Sequence, residues 1–272
     1  MTEFITKNKN IIVKCDCFDA GLSLDCGQAF RWKMNEKGQW HGVAFGIPLT
    51  LSQSGNEITF YDTEPEAFEK IWKPYFDLDR DYAAICKRLE ADEYMRQAVG
   101  EFPGIRILKQ EPWEALCSFI ISQNNNIPRI KGIIDRLCVS LGNDLGGGDY
   151  SFPDAETVAS AGIEALAPIR AGFRAKYITD AANKIASGEI DIDKILNSDL
   201  ESGRDELIKI KGVGEKVAQC TLLYGFGKVD AFPVDVWVSR IMAEMYPEGL
   251  PECTNGVRGI AQQYLFHWRR NR

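Results

Sequence analysis

The chain has 272 residues, with 32 Lys+Arg against 39 Asp+Glu, a formal net charge of -7 and 45% hydrophobic residues. This is the make-up of a globular protein long enough for two or three packed units, with no need of a disulfide or metal staple. Its two histidines, His41 and His267, argue against a Ser-His-Asp or Cys-His hydrolase.

Apolar runs such as Leu116 to Ile121 are far too short to cross a bilayer, and no basic segment, apolar run and cleavage site follow one another at the N-terminus. The expectation is a cytoplasmic protein, nucleoid-associated if prokaryotic, monomeric and without membrane contact. The eight cysteines are scattered and expected to be reduced. Cys15-Asp16-Cys17 has alternating spacing that would put both thiols on one face of a strand. No metal site or cofactor is expected from the ligand count.

The acidic balance is uneven. Residues 1–100 hold 12 basic and 16 acidic side chains, residues 101–200 hold 10 and 14, and residues 201–272 hold 10 and 9. The last third is therefore the least acidic, and a local anion-binding face there is compatible with the global sign.

From Phe4 to Tyr61 the pattern predicts an antiparallel meander. Its strands are Ile11-Ile12-Val13, Phe30-Arg31-Trp32, Trp40 to Phe45, Leu49-Thr50-Leu51 and Ile58-Thr59-Phe60, separated by turns such as Asn35-Glu36-Lys37-Gly38. After Glu64 the period becomes helical: Phe68, Ile71, Trp72 and Tyr75 share a face, and Tyr82 to Leu89 continues in the same style. Residues 112–141 read as two helices broken at Gln123-Asn124-Asn125-Asn126, with Pro128 in the first turn of the second. Gly142 to Pro153 reads as a loop.

The most informative stretch runs from Leu207 through Lys211-Gly212-Val213-Gly214-Glu215-Lys216 to Cys220. An apolar helix ends at a Gly-X-Gly turn and a second helix starts at once. Gly212 and Gly214 are expected to adopt backbone conformations closed to other residues, and the new helix N-terminus offers unpaired N–H groups to one phosphate. A tight helix-helix turn without ligand is the alternative. Lys216 lies where the helix dipole is unfavourable to a cation, so it is poorly placed for helix stability and well placed as a nucleophile. Asp235, within Asp230-Ala231-Phe232-Pro233-Val234-Asp235, is placed to cap a third helix and to face Lys216.

With this arrangement the sequence resembles the helix-hairpin-helix glycosylases, in particular the 8-oxoguanine DNA glycosylase family. Five blocks carry the resemblance: Cys26 to Trp32, Ser122 to Ile130, Ala171 to Tyr177, Gly212 to Asp235 and Ala261 to Phe266. The resemblance implies an enzyme that binds double-stranded DNA containing 8-oxoguanine and acts as a bifunctional glycosylase and AP lyase in base excision repair. Lys216 would attack the sugar C1′ and Asp235 would stabilise the positive sugar. Gly27 would accept the N7 hydrogen of 8-oxoguanine, Gln262 would read the pairing edge, and Cys220 and Phe266 would sandwich the flipped ring.

Asn124, Arg129 and Arg174 match positions implied to fill the gap and contact the orphaned cytosine. Phe173 stands where family members often have a wedging Tyr, and Trp237 where animal and fungal members typically have a His near the phosphate. The competing readings are a noncatalytic helix-hairpin-helix DNA-binding module, a glycosylase for another damaged or mismatched base, and a protein-interaction scaffold. The fold expected is α+β. An N-terminal antiparallel sheet domain with flanking helices over 1–100 precedes a helical domain over 101–200. A helix-hairpin-helix catalytic region over 201–272 completes it, with the site in the cleft between the helical units.

Overall fold

Alternation of apolar and polar residues builds the N-terminal half of the architecture. In the computed structural model, which describes residues 2–272, six strands form one antiparallel sheet in the order β1-β2-β6-β5-β4-β3. They are β1 (Phe4–Lys7), β2 (Asn10–Lys14), β3 (Lys33–Met34), β4 (Trp40–Ala44), β5 (Ile47–Ser54) and β6 (Glu57–Tyr61). Ile11 and Val13 on β2, Leu49 and Leu51 on β5, and Ile58 and Phe60 on β6 are buried, as a period of two on a half-covered sheet requires. Their register is direct: Ile11 opposes Phe60, and Leu51 opposes the same residue from the other side.

The covered face packs against the short helix Ala20–Leu24 and the helical segment Pro65–Tyr75, whose middle turn, Phe68–Trp72, is π-helical. Trp72, Tyr75 and Phe76 surround Trp32, whose indole Nε1 donates to Tyr75 Oη at 2.7 Å, and Phe60 meets Phe68 and Phe76 edge to face. Such aromatic contacts combine large buried area with a satisfied polar tip.

Three local expectations fail. Phe30-Arg31-Trp32 is a bend, and only Lys33–Met34 pairs with β4. Phe30 and Trp32 are buried in different clusters, so neither sits on a pleated strand surface. Cys15-Asp16-Cys17 lies in the turn after β2, where Cys15 Sγ accepts from Arg106 Nη2 at 3.2 Å. The Gly142–Pro153 loop contains a two-stranded ribbon, Asp144–Gly146 with Asp149–Tyr150, pinned to the sheet by Asp149 and His41 Nε2 at 2.9 Å. All eight cysteines are free thiols.

Beyond residue 82 the helical period rules. Tyr82–Leu89, Pro112–Ser122 and Ile127–Leu141 fall where the apolar spacing places them, and Pro128 is the second residue of its helix. Pro112–Ser122 is buried on all sides except at its ends and forms the spine of the second hydrophobic cluster. The helices Glu215–Tyr224 and Arg258–Arg270 both pack into that cluster. No helix among the described residues is long and apolar enough to cross a membrane.

Candidate active site

Asp199 caps the first helix of the hairpin, Leu200–Ile208, by accepting from the Ser202 amide at 2.7 Å. The chain turns over residues 209–214 and re-enters a helix at Glu215–Tyr224. Gly212 has φ +79°, and a Cβ there would sit 2.4 Å from the Tyr177 ring, so a side chain is excluded twice. Gly214 departs from expectation. Its φ of -104° is open to any residue, and the space beside it is empty. What Gly214 provides is a helix start with no capping side chain, leaving the first-turn amides uncovered.

Lys216 is the second residue of that helix and is half-buried, with Nζ 5.5 Å from the centroid of the Phe119 ring. Phe119 stands on Pro112–Ser122 and stacks on Tyr224 at 5.2 Å. Asp235 caps Val236–Met245 as expected: its Oδ1 accepts from the Val238 amide at 2.8 Å. That bond fixes the carboxylate at the helix start.

One cleft brings together Lys216, Asp235, Gly27, Cys220, Gln262 and Phe266. These six come from the N-terminal loop, the hairpin, a helix cap and the C-terminal helix, and the site is theirs jointly. Burial pushes the Cys220 thiol up to about 11, with the Lys216 ammonium pulling it down and the Asp235 carboxylate pushing it further up. The nucleophile candidate, the carboxylate and the thiol therefore share one electrostatic environment.

Gln262 is 6% exposed, and its Oε1 has no hydrogen-bond partner within the protein. An orphaned buried acceptor costs about 1–3 kcal/mol, which a ligand donor in the cleft would offset. Gly27 bends the loop at φ +90°, and the adjacent Gln28, fully buried, fastens it. Gln28 Nε2 donates to the Ser23 and Arg106 carbonyls at 2.8 and 2.7 Å, while Oε1 accepts from the Leu108 amide at 2.9 Å.

The remaining expected residues form a second group outside this cleft. Asn124 is exposed in the left-handed region at φ 47°, and Arg129 is exposed at the start of the next helix. Phe173 is 47% exposed, lies 4.4 Å from the Arg174 guanidinium and meets Tyr177 edge-on at 5.8 Å. Arg174 is only 2% exposed, and its three guanidinium nitrogens bind the carbonyls of Ala171, Gln123 and Asn124. Burial, reinforced by the like charge of Arg129, lowers its pKa. Tyr177 joins this group to Gly212, so the hairpin turn and the Phe173 knob form one continuous surface. Trp237 is 41% exposed, with Arg240 5.5 Å above its ring.

Sequence reasoning missed Cys26, Phe119, Tyr224, Pro233 and Gln263, which also line the cleft. Phe119 and Tyr224 sit in strongly apolar helices, where periodicity marks them only as core. Gln263 carried a signal: two consecutive glutamines inside an otherwise apolar helical block.

The chain matches two family models, one directly after the other. "8-oxoguanine DNA glycosylase, N-terminal domain" covers residues 10–116, and "HhH-GPD superfamily base excision DNA repair protein" covers residues 117–249. It is 32% identical over 253 residues to an N-glycosylase/DNA lyase of Saccharomyces cerevisiae, covering 82% of this chain and 67% of that protein. An N-glycosylase/DNA lyase of Arabidopsis thaliana is 30% identical, with 81% and 64% covered. The 8-oxoguanine glycosylase/lyase of Clostridium acetobutylicum, solved with double-stranded DNA containing cytosine opposite 8-oxoguanine, superposes with a TM-score of 0.92. It is 36% identical, over 100% of this chain and 98% of that one.

The chain belongs to the 8-oxoguanine DNA glycosylase family. It is a DNA N-glycosylase/lyase of base excision repair, which excludes the noncatalytic module and the scaffold. This chain spans about two thirds of the length of the yeast and plant relatives. The α+β architecture of the 8-oxoguanine glycosylases is the one observed, with the sheet in the N-terminal match and the hairpin and Asp235 in the second.

Proposed function

We propose that the protein excises 8-oxoguanine from duplex DNA, taking the damaged nucleotide out of the helix into the cleft, with Lys216 and Asp235 carrying the chemistry. The observation that carries this reading is the convergence of Lys216, Asp235, Gly27, Cys220, Gln262 and Phe266 on one cleft. A nucleophile, a fixed carboxylate and a polar base reader meet there, which a purely structural cavity has no reason to combine.

Lys216 Nζ, as the free amine, attacks C1′ of the extruded nucleotide. The C1′–N9 bond breaks, and its electron pair leaves with the base, which takes up a proton. Asp235, held by the Val238 amide, faces the positive charge that develops on the sugar and assists the proton transfers. Ring opening yields an iminium between Lys216 and C1′. Its electron demand acidifies the C2′ hydrogens, and loss of one expels the 3′ phosphate by β-elimination.

Recognition follows from hydrogen-bond polarity. The Gly27 carbonyl accepts from N7–H of 8-oxoguanine, whereas guanine would set lone pair against lone pair. Gln262 Oε1, orphaned within the protein, accepts from the pairing edge, and Cys220 and Phe266 cover the ring faces. Asn124, Arg129 and Phe173 occupy the gap left in the duplex, with cytosine as the favoured opposite base. Arg174 supports them. Gly212 shapes the turn, and the amides beyond Gly214 take a backbone phosphate. The protein acts as a cytoplasmic monomer on DNA and needs no metal or cofactor.

The test is borohydride trapping on a duplex carrying one 8-oxoguanine opposite cytosine, with an undamaged duplex and Lys216→Gln as controls. A covalent adduct that requires both the lesion and Lys216 is expected. An alkali-labile abasic site without adduct would overturn the lyase mechanism. Loss of DNA binding in Lys216→Gln equal to its loss of excision would overturn the nucleophile assignment.

A further inference from the structure

Two residues in the floor of the cleft are joined in a way the mechanism above does not use. Tyr224 and Gln263, 4% and 3% exposed, are linked by a 2.6 Å bond between Tyr224 Oη and Gln263 Oε1. A carbonyl oxygen only accepts, so the phenol is the donor and the amide is oriented by it. The other end of the amide, Nε2, is buried and has no partner within the protein. Both residues line the same cleft as Lys216 and Gln262.

Adjacent glutamines of one helix thus line one cavity, one carrying an orphan acceptor, Gln262 Oε1, and the other an orphan donor, Gln263 Nε2. Native proteins rarely leave buried polar atoms unpaired, and two at one site point to a ligand with the complementary pattern. The edge of 8-oxoguanine reads donor, acceptor, donor: N1–H, then O6, then N7–H. With Gln262 at N1–H and Gly27 at N7–H, the position left between them is the O6 acceptor.

We infer that Gln263 donates an Nε2–H to O6 of the extruded base, and that Tyr224 is the positioning residue that keeps the amide in that orientation. This rests on the excision reading above and gives it a determinant for 6-oxo over 6-amino purines. 8-Oxoadenine keeps N7–H and O8 but sets an amino group where O6 stood, so donor would face donor.

The experiment measures single-turnover excision of 8-oxoguanine and of 8-oxoadenine by the wild-type chain, Gln263→Met, Tyr224→Phe and the double variant. The double variant leaves neither an unpaired hydroxyl nor an unpaired amide, so it keeps the test intact if Gln263→Met folds poorly. Strand cleavage at a preformed abasic site, which has no base to read, is the internal control. Excision of 8-oxoguanine is expected to fall about tenfold in Gln263→Met and the double variant, and less in Tyr224→Phe. Excision of 8-oxoadenine and abasic-site cleavage are expected to be unchanged.

Equal loss on both purines, or a wild-type ratio between them, would overturn the Gln263 assignment while leaving the excision reading in place. A wild-type chain that cleaves abasic DNA but leaves 8-oxoguanine untouched would overturn both.

Discussion

Arg174 Nη2 donates to the main-chain carbonyl of Asn124 at 2.9 Å, so one residue expected to touch the orphaned base instead holds the loop that carries another. Each nitrogen of the Arg174 guanidinium is engaged, with Nε bound to the Gln123 carbonyl at 2.9 Å and Nη1 to Ala171 at 3.2 Å. Arg174→Ala removes this brace from three carbonyls, of which that of Ala171 is buried and those of Gln123 and Asn124 are partly so. A loss of about 2–4 kcal/mol in urea denaturation is expected. Arg174→Lys restores little of it, because one ammonium cannot copy the planar fork.

Arg129 stands apart from that brace, and its exposed side chain is available to the opposite strand. Arg129→Ala is expected to keep excision opposite cytosine within about tenfold and to narrow the gap between cytosine and other opposite bases. Excision rates on four duplexes differing only in that base check it. An unchanged ranking removes Arg129 from the recognition surface.

The two hairpin glycines are expected to separate. Gly212→Ala places Cβ on the Tyr177 ring at a positive φ and is expected to cost about 2–4 kcal/mol of stability. Gly214→Ala fits the backbone and meets nothing within the protein, so stability should move by less than about 1 kcal/mol. Its methyl group lies beside the uncovered amides, and DNA affinity is expected to fall. Denaturation midpoints and DNA titrations at two salt concentrations distinguish the pair.

Glu114 offers a pH signature. Burial, opposed by Arg31 at 3.3 Å and reinforced by Glu111, raises its carboxyl from 4.5 to about 7. A carboxyl with a raised folded-state pKa stabilises the fold fully below about 4.5, and that contribution is lost as pH rises through about 7. Over this window the group is expected to withdraw about 3 kcal/mol. Glu114→Gln should flatten that part of the stability-against-pH curve, and denaturation midpoints from pH 4.5 to 8 read it directly.

The parts of the molecule set by short-range periodicity were legible. Alternation located β2, β4, β5 and β6, and apolar spacing located Tyr82–Leu89 and the helices on either side of Asn124. The meeting of Lys216 and Asp235 in one cleft was legible because Lys216 breaks a local rule, as a cation at a helix start, and Asp235 caps the next helix within reach of the same hairpin. The bend at Phe30–Trp32 was not legible, since its aromatic residues go to two different cores that only the tertiary fold creates. Arg174 shows the same limit. An arginine at a helix start looks solvated in sequence, and its burial is decided by carbonyls fifty residues away. Gln263 was overshadowed by its neighbour because its partner, Tyr224, lies 39 residues upstream.

Gly27 and Gln262, the proposed base readers, lie near opposite ends of the chain and meet Lys216 of the hairpin helix in one cleft. The proposed base reader is therefore complete only when the two distant ends of the chain meet. On the proposed reading, long-range closure of the fold couples the ability to remove a base to the conformation that can recognise one.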